Sequence, residues 1–151
     1  MANTQAMCTS FKTELMTATH NFGTAPTRVS GTADTFYGAL YETTATLNAA
    51  TTAYTSSGEV TGAGYSAGGI AVTNATAPTN SGTTAYWTPS ASLVYTGVTL
   101  TTAFDTLLIY NQTQSNKAVS VHTFGSQTIT AGTFTLTMPA NTNTTALLRL
   151  A

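Results

Sequence analysis

Hydrophobic and polar residues alternate along most of this chain with a period of two. A helical period appears at its start, where Met7, Phe11 and Leu15 recur at four-residue spacing and Ala18 and Phe22 continue the stripe. That pattern predicts a helix over the first twenty residues. Thr9 or Ser10 would cap it, and Glu14 would lie on its surface. His20 would sit in the last turn, where a cation suits the helix dipole, and Gly23 would stop it. A turn-rich connector, "GTAPTRVSG", follows.

From residue 34 onward the pattern predicts short strands separated by turn residues. They fall at 34–42, 44–54, 69–73, 83–88, 93–101, 104–111, 117–124 and 133–138, with "TALLRLA" at the end. In "TFTLTM" (133–138), Phe134, Leu136 and Met138 share one face while Thr133, Thr135 and Thr137 share the other. That is the alternation of a half-buried strand. Eight or so strands at roughly ten-residue spacing, without helices between them, predict an all-β fold: an antiparallel β-sandwich or jelly roll. The chain reads as a single domain over 1–151, with the helix in 1–23 and the sandwich in 34–151.

Composition narrows the function classes. Nine of 151 residues are charged, or 6%, against roughly 25% in an ordinary soluble domain, and 37 are threonine. A chain that is 42% hydrophobic with net charge −1 is not a disordered one. With no basic patch to neutralise phosphates, nucleic acid is not an expected partner. A membrane is not expected either: there is no polybasic anchor, and the longest aliphatic or aromatic run is "LLIY" at 107–110. "MANTQAMCTS" has no positive start and no apolar stretch, so no secretory signal is read there. Cys8 is the sole cysteine, which excludes an intrachain disulfide and reads as a small apolar residue on the helix.

The stretch "GAGYSAGG" (62–69) satisfies the G-x-G-x-x-G/A pattern of a dinucleotide loop. Such a loop needs a following helix, whose amide groups hold the pyrophosphate. Here "GIAVTNATAP" follows, which is a strand and a turn, and no acidic residue stands between Glu59 and Asp105 to hold a ribose. The loop therefore reads as architecture: two glycine-bearing bends around an extended piece centred on Tyr65. No cofactor is expected.

No catalytic set is expected among the remaining residues. The five acids are scattered, with Asp34 and Glu42 at strand ends and Glu59 in a turn. Asp105 interrupts an apolar strand and reads as a wet-face or turn-bonding residue. Ser120 and His122 alternate with Val119 and Val121 and should point to solvent or a partner. Two histidines and one distant cysteine make no metal spacing. Trp87 with Tyr54, Tyr65 and Tyr86 suggests a sugar-stacking platform, but the preferred reading puts Trp87 in the core and the tyrosines at rims.

"SFKTELMTATHNF" (10–22), "DTFYGALYETTATLNAATTAYT" (34–55), "GEVTGAGYSAGG" (58–69) and "LLIYN" (107–111) together resemble small virion proteins of tailed bacteriophages, of the head decoration (cement) or head-fibre type. The resemblance implies a non-enzymatic structural protein without cofactor or metal. It would sit on the outer capsid surface, assembled in the host cytoplasm, and bridge major capsid subunits as a homotrimer at threefold positions. Phe11, Leu15 and Leu148 are the candidate capsid or inter-subunit contacts. The alternative is a tail or head fibre, or a carbohydrate-binding module that contacts the host.

Overall fold

A computed structural model describes residues 3–16, 19–22 and 33–151. The connector at 23–31, together with Ala18 and Gly23, lies outside the described residues. The fold is an antiparallel β-sandwich of two packed sheets with one short N-terminal helix.

The strands are β1 (Ala6–Met7), β2 (Phe36–Glu42), β3 (Ile70–Ala71), β4 (Thr79–Ser81), β5 (Thr84–Trp87), β6 (Leu93–Asn111), β7 (Lys117–Leu136) and β8 (Leu148–Leu150). The larger sheet has the order β1-β7-β6-β2-β3 and the smaller β4-β5-β8. Helix α1 (Thr9–Met16) follows β1.

The predicted helix is thus cut down to eight residues. Ala6 and Met7 pair instead with Val121 and Ser120 of β7, so the start of the apolar stripe lies on a strand. Cys8 is buried between that strand and the helix, not on the helix, and burial pushes its thiol up to about 11. His20 lies beyond the helix, in the core. The apolar spacing of Met7, Phe11, Leu15 and Phe22 serves a buried ledge that only its middle part covers as helix.

The strand segments also differ from the sequence pattern. The pieces at 93–101 and 104–111 form one strand of 19 residues, and those at 117–124 and 133–138 one strand of 20. Register breaks absorb the interruptions, with Gly97 and Ala131 at positive φ. The segment at 44–54 is not a strand. It is a turn-rich excursion held by main-chain bonds, including Ala118 N–H to the Thr52 carbonyl (3.0 Å) and Tyr54 N–H to that of Asn116 (2.9 Å).

The unbroken run Leu107–Leu108–Ile109–Tyr110 is buried on both faces of the central strand β6. Phe36 of β2 and Trp87 of β5 bridge the two sheets through Phe22, whose ring lies 4.4 Å from Phe36 and 4.8 Å from Trp87. Trp87 is therefore a core residue, and its indole N–H donates to Asn74 Oδ1 at 2.8 Å. In the "TFTLTM" segment, Phe134 is buried and Leu136 and Met138 are half-buried, while all three threonines are exposed. The period-two reading holds there.

Candidate functional site

Phe11, Leu15 and Leu148 are far apart in sequence, yet they line one apolar depression of about 80 Å³. Phe11 comes from α1 and Leu148 from β8, and Trp87 and Phe22 form part of its wall. Phe11 and Leu148 are themselves buried, so most of their surface serves the core. Leu15 is half-buried, and Leu150, two residues along β8, is 45% exposed at the rim. Alternation on β8 leaves Leu150 uncovered although it shares Leu148's parity, because β8 ends at the sheet margin. Nothing in the residue pattern distinguishes Leu150 from Leu148 as the open member of the group.

Beside this depression a second, more polar groove of about 610 Å³ runs between β7 and the C-terminal segment. Ser120 and His122 face it, with Ser120 Oγ 2.8 Å from His122 Nε2. Against the expectation that both point to solvent or a partner, neither is open to solvent: Ser120 is buried and His122 is half-buried. Burial pulls the imidazole down to about 4, which makes it a weak base for activating a hydroxyl.

Several ionisable groups are tied into two internal networks. In the first, Glu14 bridges His20 (2.7 Å) and Lys117 (2.6 Å). Burial acts to raise the Glu14 carboxyl, but the hydrogen bonds and charges of Lys117 and His20 outweigh it and leave the group below its usual range. Asn111 Nδ2 lies 3.1 Å from His20 Nδ1 and donates to Asp34 Oδ2 at 2.7 Å. Glu14 is therefore not a free helix-surface acid. The network fastens α1 to the hairpin end of β6 and β7.

In the second network, buried Glu59 accepts hydrogen bonds from Tyr54 Oη (2.6 Å), Tyr65 Oη (2.8 Å) and Gly68 N–H (2.7 Å). Tyr110 Oη donates to the Gly68 carbonyl at 2.8 Å. The glycine stretch is shaped by this cage. Turns close from Tyr65 N–H to Gly62 and from Gly69 N–H to Ser66, and no helix follows Ala67. The Gly68 amide that an anion would need already serves a carboxylate. Gly62 lies against the Thr99 carbonyl and Gly64, at φ +77°, against that of Gly97. Tyr54 and Tyr65 direct their hydroxyls inward, so they form no sugar-stacking platform with the buried Trp87. The role of Glu59 was not legible in the sequence, where it stands in an ordinary turn.

Asp105 lies within β6, half-buried, and accepts bonds from Asn3 of the N-terminal segment (3.1 Å) and from its strand neighbour Thr106 (2.7 Å), so its partners are not those of a turn. Among the described residues, no three His, Cys, Asp or Glu side chains group to hold a metal ion, and no helix is long and apolar enough to cross a membrane. Compared with protein-family models, curated proteins and solved structures, the chain matches none.

Proposed function

We propose that this protein is a structural virion component, a capsid decoration (cement) protein that seats on the outer surface of a phage head and bridges neighbouring major capsid subunits. The observation that carries this reading is the convergence of Phe11, Leu15 and Leu148 on one apolar depression with Leu150 open at its rim. The resemblance to phage head proteins supplies the partner. The charge pattern supports the same mode of binding: few charges exist, and Glu14, Asp34, Glu59 and Lys117 are engaged within the fold. A surface of this kind packs closely beside copies of itself without charge repulsion.

Contact through apolar area and neutral hydrogen bonds is weakly screened by salt. Binding that favours the assembled shell stabilises it by mass action at each of many sites. The test is to strip the protein from purified heads, heat stripped and decorated particles, and add the protein back at low and high salt. Decorated heads are expected to survive hotter treatment, with re-addition at either salt restoring resistance. Equal heat resistance of both particles, or release by moderate salt, overturns the reading.

A further inference from the structure

β1 ends the larger sheet on one side and β8 ends the smaller, and the polar groove of about 610 Å³ opens where these two ends meet. That size lies in the range of about 300–1,000 Å³ usual for small-molecule sites. Ser120 and His122 line the groove from β7, and they share a face of the sheet with their cross-strand partners Ile109 and Leu107, both fully buried. A polar group is kept among such neighbours where something satisfies it. Ser120 Oγ and His122 Nε2 satisfy each other at 2.8 Å, but His122 Nδ1 meets no hydrogen-bonding group among the described residues. Burial keeps the ring uncharged at neutral pH, so this nitrogen suits a neutral hydroxyl.

Arg149 lines the same groove, and its charge is uncompensated. Lys117 is paired with Glu14, whereas Arg149 has no carboxylate partner among the described residues. Its Nη1 donates to the Thr144 carbonyl at 2.6 Å, between the groove residues Asn143 and Thr145. Its other N–H groups have no partner among the described residues. No Asp or Glu lines the groove. One cation therefore stands among neutral donors and acceptors, those of Gln5, Thr84, Ser120, His122 and Asn143.

We propose that this groove binds a small carboxylate that also carries hydroxyl groups, the chemistry shared by hydroxy acids and acidic sugars. Arg149 takes the carboxylate in a charge-assisted, forked contact. His122 and Asn143 take the hydroxyls. A neutral sugar leaves the guanidinium without its counter-charge, and a bare carboxylate leaves the imidazole nitrogen unpaired. A phosphate brings two charges to a single cation. The proposal stands apart from the capsid reading and holds or fails without it.

The experiment titrates the isotope-labelled full chain with D-glucuronate, D-gluconate, D-glucose and acetate at neutral pH and low salt, following amide and imidazole resonances. Glucuronate or gluconate should shift the signals of residues 120–122 and 143–149 saturably at millimolar concentration. Glucose and acetate should each bind about tenfold more weakly or worse, because each lacks one half of the contact. Tighter binding of glucuronate marks an acidic sugar and tighter binding of gluconate a free hydroxy acid, and either supports the site. Arg149→Gln alters an exposed side chain, so circular dichroism should not change, but both acids should bind about tenfold more weakly or worse. Lys12→Gln, which removes an exposed cation on α1, should bind them as the parent does. No saturable shift with either acid, or shifts confined to other residues, overturns the inference. So does equal binding of glucose or acetate, or an Arg149→Gln protein that binds like the parent.

Discussion

The carboxylate of Glu59 and the phenol of Tyr65 meet at 2.8 Å at the open edge of β2, where Tyr65 Oη also accepts the Leu40 N–H at 3.0 Å. This one hydroxyl closes a strand edge on one side and satisfies a buried acid on the other. Tyr65→Phe leaves both groups short of a partner and should cost about 1–3 kcal/mol in denaturant unfolding. Glu59→Ala strands two phenols and an amide and should cost more than Tyr65→Phe. A Tyr65→Phe protein as stable as the parent would show that the hydroxyl contributes nothing.

Alkaline titration should report the same cage. Burial, followed in Tyr54 by the Glu59 hydrogen bond and charge, raises the phenols of Tyr54, Tyr65 and Tyr95 above the usual tyrosine range, and burial takes Tyr110 up to about 12. In the unfolded chain these groups ionise near their ordinary value of 10. The folded state then binds more protons above that pH, so stability falls as pH rises past it. The tyrosinate absorbance of these four phenols should appear late and together with unfolding.

Glycines in the loop should separate from a glycine in an open turn. A Cβ at Gly69 would run into the Gly38 carbonyl at φ +75°, whereas one at Gly82, φ +58°, meets nothing within 4 Å. Gly82→Ala should cost about 1–2 kcal/mol, the strain of the left-handed conformation alone. Gly69→Ala, Gly62→Val and Gly64→Val should cost distinctly more or prevent folding. Equal melting temperatures for Gly69→Ala and Gly82→Ala would contradict the close backbone approach.

Acid should loosen the attachment of α1. The Glu14 carboxyl is depressed on folding, so its contribution is present above the ordinary carboxylate pKa of 4.5 and is lost as pH falls through the lower folded value. His122 adds to this: pulled from 6.5 to about 4, it makes stability fall as pH drops across that window, where the unfolded chain takes up the proton first. Glu14→Gln should flatten the stability profile below pH 4.5, and His122→Asn the part between about 4 and 6.5. Denaturant midpoints measured across this range check both.

Core and rim of the apolar depression should respond differently. Phe11→Ala opens a cavity beside Phe22 and His20 and should cost about 3–5 kcal/mol. Leu150→Asp changes an exposed side chain and should stay within about 0.5 kcal/mol of the parent. On stripped heads the Leu150→Asp protein should nevertheless bind more weakly. Unimpaired binding by that folded variant would remove Leu150 from the contact surface.

The alternation of apolar residues with threonine determined that this chain builds sheets. Phe134, Leu136 and Met138 turn inward and their threonine neighbours outward, because strand geometry sends successive side chains to opposite faces. Burial of the "LLIY" run and of Trp87 was legible for the same local reason: such surface must leave water. The helix limits, the fusion of four segments into β6 and β7, and the loss of a strand at 44–54 were decided by tertiary structure. Ala6 and Met7 left the helix because β7 offered them a pairing edge. The buried roles of Glu59, His20, Asp34 and Asn111 belong to that level too. A polar residue is buried only where partners from distant segments satisfy it, and no local pattern of residues records those partners. Phe11, Leu15 and Leu148 shared no pattern in sequence. The fold brought α1 and β8 to the rim of one depression and made them one surface.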